Sequence, residues 1–280
     1  MLISRAMRII VPIKQVPETN AVKMDEATGT MIREGVEGII NPLDLYSIEA
    51  AIQLREEYGG EIIALSMGPA KAMTALKEAI AMGIDRAVLL SHRAFAGSDT
   101  WATSFALAAA IRKLGADTPG ENPFGFDLVL CGERATDGDT GQVGPGTASF
   151  LNLPVASYVS RIEAVEGPTC RVRRLVEDGY ETLEVRMPAV FTVVKEVANP
   201  RLPTLRGKQK ARKADIPVWG PDELGISSDK IGLKGSPTRV VKIFHPKITR
   251  QGRKIPAGDE QTISSAVDQL LDFLRQKDLV

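Results

Sequence analysis

The stretch EIIALSMGPAKAMTALKEAIAMGIDRAVLLS, Glu61 to Ser91, decides the fold. An apolar run of strand length, Glu61 to Met67, is followed by a Gly-Pro break, a helical pattern from Ala70 to Gly83, and a second apolar run, Arg86 to Ser91. Short apolar runs bounded by Gly or Pro read as buried strands, and the segment between them has the length and spacing of a helix. Gly83 stands where a helix ends most easily, in a left-handed C-terminal position. Strand, helix and strand in so short a span predict a right-handed crossover between parallel strands.

The same alternation continues on both sides. RIIVPI, Arg8 to Ile13, reads as a buried strand, and Leu43 to Gly59 as a helix with Asp44 as its N-cap. Asp99 is expected to cap a helix from Thr100 to about Leu114, and FDLVLCG, Phe126 to Gly132, is a fourth strand followed by a helix from Val143 to Asn152. The expected class is α/β: a mostly parallel, Rossmann-like nucleotide-binding sheet with helices on both faces. After Pro154 the pattern becomes strand-rich, and VEDGYETLEV predicts an added antiparallel segment. The stretch Ala198 to Pro217, with three prolines and a run of Lys and Arg, argues for an exposed arm rather than a packed element. Trp219 to Asp259 has little periodicity, and Thr262 to Leu279 is an amphipathic helix with Ile263, Val267, Leu270, Leu271 and Leu274 on one side. This divides the chain into an α/β domain, 1–197, and a long C-terminal arm, 198–280, that ends in a helix and packs on another subunit.

Composition narrows the function classes. The 280 residues are 44% hydrophobic and carry 35 Lys plus Arg against 35 Asp plus Glu, so no whole-chain field draws nucleic acid. Cys131 and Cys170 are too far apart for a CxxC zinc or redox pair, and the default is a reducing, cytoplasmic setting. No apolar run approaches the ~18 residues of a membrane helix, so no membrane insertion is expected. Met7 precedes the first strand directly, which marks the first six residues as an extension.

In parallel α/β sheets, ligands bind beyond the carboxyl ends of the strands. The segments there are KQVPE (Lys14 to Glu18), SMGPA (Ser66 to Ala70), SHRAFAGSDT (Ser91 to Thr100) and CGERATDGDTGQVGPG (Cys131 to Gly146). Two run directly into helix starts, whose free N–H groups suit a phosphate. In the last segment, Asp137 and Asp139 admit a divalent-metal reading or a paired-carboxylate reading. The preferred reading is a backbone wrap: Gly138, Gly141 and Gly144 let the chain approach phosphate oxygens, Thr140 and Gln142 add polar contacts, and the aspartates shape the loop. The chain lacks GxxxxGK[ST], GxGxxG and GxSxG, and His92 and His245 have no evident nucleophile beside them. No catalytic residue and no metal ligand set is read from the sequence, which describes a binder.

Five blocks then come in one order: VPIKQVPE, NPLDLYSIEAA, ALSMGPAKA, DGDTGQVGP and NPRLPTLRGKQKARK. Together they resemble the β subunit of an electron-transfer flavoprotein, over nearly the whole chain. The resemblance implies a heterodimer with an α subunit that carries a redox FAD. It also implies a nucleotide in this subunit, FAD in electron-bifurcating members and structural AMP in ordinary carriers. By position the contacts would be Pro12, then Asn41, Pro42, Leu43 and Asp44, then Met67 and Gly68. Cys131, Gly132 and Arg134 would lead into the phosphate wrap of Thr136, Asp137, Gly138, Asp139, Thr140, Gly141, Gln142, Val143 and Gly144. Asp99, Thr100 and Thr103 would lie beside a flavin. Gly138 favours the FAD type, while Gly141 and the displaced Arg134 depart from the usual pattern. Partners implied are NADH and ferredoxin or flavodoxin for a bifurcating type, and a flavin dehydrogenase such as an acyl-CoA dehydrogenase. The last would dock on the basic segment through Pro200 and Arg201, with Val197 and Ala198 as an exposed apolar anchor.

Overall fold

The computed structural model describes residues 6–18, 38–117, 124–241, 252 and 254–280. His245 lies outside them. The chain divides into one unit running to Val241 and a second from Lys242 to Val280.

The first unit is built on a nine-stranded sheet. Its strands are β1 (Met7–Pro12), β4 (Gly60–Met67), β5 (Arg86–Leu90), β6 (Leu128–Gly132), β7 (Val155–Glu166), β8 (Thr169–Val176), β9 (Gly179–Arg186), β10 (Ala189–Val193) and β11 (Val218–Trp219). They lie in the order β11-β5-β4-β1-β6-β10-β7-β8-β9. The pairings from β11 to β7 are all parallel, and β7-β8-β9 form an antiparallel meander. A separate antiparallel pair joins β2 (Gln15–Pro17) and β3 (Gly38–Ile40). This is the mixed, mostly parallel α/β sheet read from the sequence.

Side chains alternate across β1, and both faces are covered. Ile9 and Val11 pack with Ile48, Ile52, Leu76 and Ile80 of α1 (Asp44–Tyr58) and α2 (Met73–Met82). Ile10 points the other way, into a second core with Ala106, Ile111, Leu114 and Leu151 of α3 (Thr100–Ala116) and α4 (Val143–Leu151). Gly83 closes α2 at φ 139°, its N–H reaching the Ala79 and Ile80 carbonyls. Asp99 caps α3, accepting a hydrogen bond from the Ala102 N–H at 3.0 Å.

Two elements differ from the sequence reading. β10 is separated from β6 by the whole meander, yet it inserts between β6 and β7. Its five residues are all buried, and such a strand shows no alternation that would reveal its neighbours. The basic segment is a packed helix, α5 (Leu205–Lys213), not an open arm. Thr204 caps it through the Gly207 N–H at 2.9 Å, and Gly207 lets it approach α2 so closely that a Cβ there would lie 2.0 Å from the Ala81 carbonyl oxygen. Only Ala211 is buried, so the Lys and Arg side chains occupy the outer face and mask the helical pattern. Short α6 (Pro221–Leu224) and α7 (Gly232–Gly235) follow β11. The compact unit therefore extends about forty residues beyond the expected boundary at 197/198.

The second unit contains α8 (Glu260–Gln276). Asp259 and Thr262 form a reciprocal cap, and Ile263, Val267, Leu270, Leu271 and Phe273 are exposed.

Candidate functional site

From β1 the chain moves outward through β4 to β5, then α3 carries it back across to β6 on the other side of β1. The carboxyl ends of β1 and β6 are thus the switch point, where diverging connections leave a crevice. A cleft of about 980 Å³ opens there, and all four loops singled out in the sequence line it. That volume is at the upper end of ligand pockets, roughly 300–1,000 Å³.

Its floor is polar and locked. Asp44 is buried as the first residue of α1, so it is not the N-cap; Leu43 holds that place. The Asp44 carboxylate instead accepts the Lys14 N–H at 2.7 Å, tying α1 to the end of β1. Burial pushes its pKa up to about 7, against the opposing hydrogen bonds from the Lys14 backbone, Asn41 and Gly132. Asn41 joins the first loop to the fourth: its Nδ2 donates to the Arg134 carbonyl at 2.9 Å, and its Oδ1 accepts from the Thr136 N–H at 3.2 Å. Gly132 is a close-approach position, since a Cβ there would meet Asp44 Oδ1 at 2.5 Å.

The fourth loop keeps its aspartates in ion pairs. Asp137 meets Lys14 Nζ at 2.5 Å, and Asp139 meets Arg134 at 3.1 Å. Their carboxylates meet cations rather than each other, so they do not stand together as a catalytic pair. Among the described residues no group of three or more His, Cys, Asp or Glu could hold a metal ion. Between the aspartates, Gly138 faces open space: a Cβ there would have Lys14 Nζ, at 4.0 Å, as its nearest neighbour. Gly141 adopts φ 63°, which favours glycine. Gly144 seats the first turn of α4 against β6 and β10, for a Cβ would lie 2.4 Å from Thr192 Cγ2. Cys131 is buried beneath, its thiol pushed up to about 12 by burial and then by Asp44.

The third loop supplies the far wall. Thr100 Oγ1 donates to Gln142 Oε1 at 3.0 Å, linking the starts of α3 and α4. The second oxygen of Asp99 accepts from the Thr238 N–H at 3.0 Å and hydroxyl at 2.8 Å. Burial raises the Asp99 pKa, but the bonds from Ala102, Thr238 and Trp101 outweigh it and hold the carboxyl below its ordinary range. Asp99 is thus spent on its own chain, anchoring a strap whose Thr238 and Val240 line the cleft.

Of the residues expected by resemblance, Pro12, Met67, Gly68, Thr103, Thr140 and Val143 also line the cleft, along with those just described. Pro42, Leu43, Thr136 and Asp139 do not, though the Thr136 N–H holds Asn41 and Asp139 pairs with Arg134. Lys14, Lys71, His92 and Arg93 also line it; the sequence reading placed the loops of Lys14, His92 and Arg93 at the site without naming these side chains as contacts, and it left out Lys71. Their positions two to four residues past a strand's carboxyl end were the available signal.

The docking segment is arranged differently from expectation. Val197 and Ala198 are half-buried against the core, not exposed. Arg201 grips α1, meeting Glu49 at 2.9 Å and Glu56 at 2.6 Å. The exposed apolar side chains here are Leu202 and Leu205, at 85% and 83%.

A family model described as "Electron transfer flavoprotein domain" matches residues 28–224. The chain is 44% identical to "Electron transfer flavoprotein subunit beta" of Thermoanaerobacterium thermosaccharolyticum, across 94% of this chain and 98% of that one. It is 43% identical to "Caffeyl-CoA reductase-Etf complex subunit CarD" of Acetobacterium woodii, across 98% and 100%. It is 42% identical to "Protein FixA" of Azorhizobium caulinodans, across 86% and 85%.

Proposed function

The chain belongs to the electron transfer flavoprotein family as a β subunit, and from that premise we propose that its cleft binds FAD and that, paired with an α subunit, it takes part in flavin-based electron bifurcation. The carrying observation is the extent of the cleft. It runs from the Gly-rich loop at Cys131–Gly144, past Asp99, Thr100 and Thr103, to His92 and Arg93 at the end of β5. An adenosine monophosphate needs the first part, whereas a flavin extends beyond it. The likeness to a chain named for a reductase–Etf complex supports the same reading.

FAD fits the residues present. The N-terminus of α4 and the open position over Gly138 receive a phosphate, with the loop backbone drawn close by Gly141 and Gly144. Thr100, Thr103 and Gln142 offer hydroxyl and amide groups for a ribityl chain or a ring edge. Phe95, Leu107, Val129 and Val190 make the inner wall apolar and exclude water. When bound, FAD supplies acceptance of an electron pair from a nicotinamide and its release one electron at a time. The protein's part is to hold, orient and tune it. NADH, ferredoxin or flavodoxin, and a flavin dehydrogenase such as an acyl-CoA dehydrogenase are the proposed exchange partners, in the cytoplasm. Among the described residues no helix is long and apolar enough to cross a membrane.

The test is a cofactor count. Two FAD per purified heterodimer is the expected result. One FAD together with AMP released on denaturation would replace this reading by a one-way carrier with structural AMP here.

A further inference from the structure

Lys14 stands just past the carboxyl end of the central strand, and its backbone is fixed on both sides. Its N–H is held by Asp44 at 2.7 Å, and its carbonyl accepts the Asn41 N–H at 2.8 Å. The side chain lines the cleft and is 47% exposed, whereas that of its ion-pair partner Asp137 is 16% exposed. Beyond Gly138, Asp139 engages the second cation of the loop, Arg134. The DGD sequence therefore keeps two cations at the rim of the phosphate loop, each neutralised by an acid of the loop itself. Gly138 leaves open space between the loop and Lys14 Nζ.

We propose that Lys14 is a specificity-determining residue that reads the second phosphate of a diphosphate-bridged nucleotide, exchanging Asp137 for it on binding. The proposal rests on the cleft being the nucleotide site and deepens that reading. A single phosphate is served by the neutral N–H groups of the loop and of α4. A diphosphate brings a second negative group that lies outside that wrap, and a lysine is a mobile point charge suited to meet it. Replacing one anion with another leaves the ammonium paired throughout, so no uncompensated charge is created during loading. Asp137 then moves toward solvent, where a free carboxylate costs little.

The full-length chain, as wild type, Lys14→Met, Lys14→Arg and Asp137→Asn, is titrated calorimetrically with AMP, ADP and FAD, with melting temperatures recorded for each. Lys14→Met is expected to weaken ADP and FAD by about tenfold or more and AMP by less than about threefold, the loss of one charge-assisted contact. Lys14→Arg should retain most of the ADP affinity. Asp137→Asn, which frees Lys14, should tighten ADP and FAD. If the pair is merely a staple of the loop, Lys14→Met and Asp137→Asn will weaken all three ligands alike, and the proposal is overturned while the nucleotide site stands. A wild-type chain that binds none of the three overturns both. Should Lys14→Met fail to fold, the sign of the Asp137→Asn effect decides.

Discussion

Asp44 shows how one residue at a strand end sets the chemistry of its surroundings. Its carboxyl is shut away from water yet accepts the Lys14 N–H, so it tolerates either protonation state at a cost. With a folded pKa of about 7 against ~3.9 unfolded, the native state binds the extra proton across that window. Stability should therefore fall as pH rises from about 4 to about 7, and level off above. Between pH 5 and pH 8 the wild type is expected to lose roughly 2–3 kcal/mol relative to Asp44→Asn, measured by urea unfolding at both values. An equal pH dependence in the two proteins would remove burial of Asp44 as the cause. The acid at the head of the LDLYSIEAA run was legible, but not its role. A helix cap and a tertiary tether use the same residue type, and only the packing of β1 against α1 separates them.

Arg201 works at the scale of elements. It ties the segment between β10 and α5 to α1 through Glu49, 4% exposed, and Glu56, 53% exposed. Arg201→Ala strands a buried carboxylate and is expected to cost about 3 kcal/mol. Glu56→Ala breaks only the solvated half and should cost less than ~1 kcal/mol. Arg201→Lys should recover a minor part, because one ammonium cannot span both acids. Chemical denaturation of the three variants orders them, and equal losses would refute the asymmetry. Elements with local signals were readable in advance: β4, α2 and β5 from their Gly and Pro punctuation, α3 from Asp99. The place of β10 was not, because its partners lie 61 residues back in β6 and across a bulged register on β7. Nor was α5, where helix-forming Lys and Arg on a solvent face look the same as a solvated strip until Gly207 meets α2.

At the scale of the whole molecule, the chain divides into two units. The unit to Val241 contains every wall of the cleft, whereas the second presents the exposed apolar side of α8. Ending the chain after Val241 should leave the first unit's unfolding transition in place. If the arm holds the α subunit, as the sequence reading expects, the same truncation should weaken that association about a hundredfold or more, the loss of one or two buried anchors. Co-purification and gel filtration of the truncated chain with its α subunit read the outcome, and undiminished association would place the interface elsewhere. The strap tethered by Asp99 adds a temporal dimension. The cleft joins parts of the chain far apart in sequence, with Pro12 in one wall and Thr238 and Val240 in another. No nascent chain short of that point can present a finished cavity. A ligand that needs the strap is fully enclosed only once Thr238 has been made and has folded against Asp99.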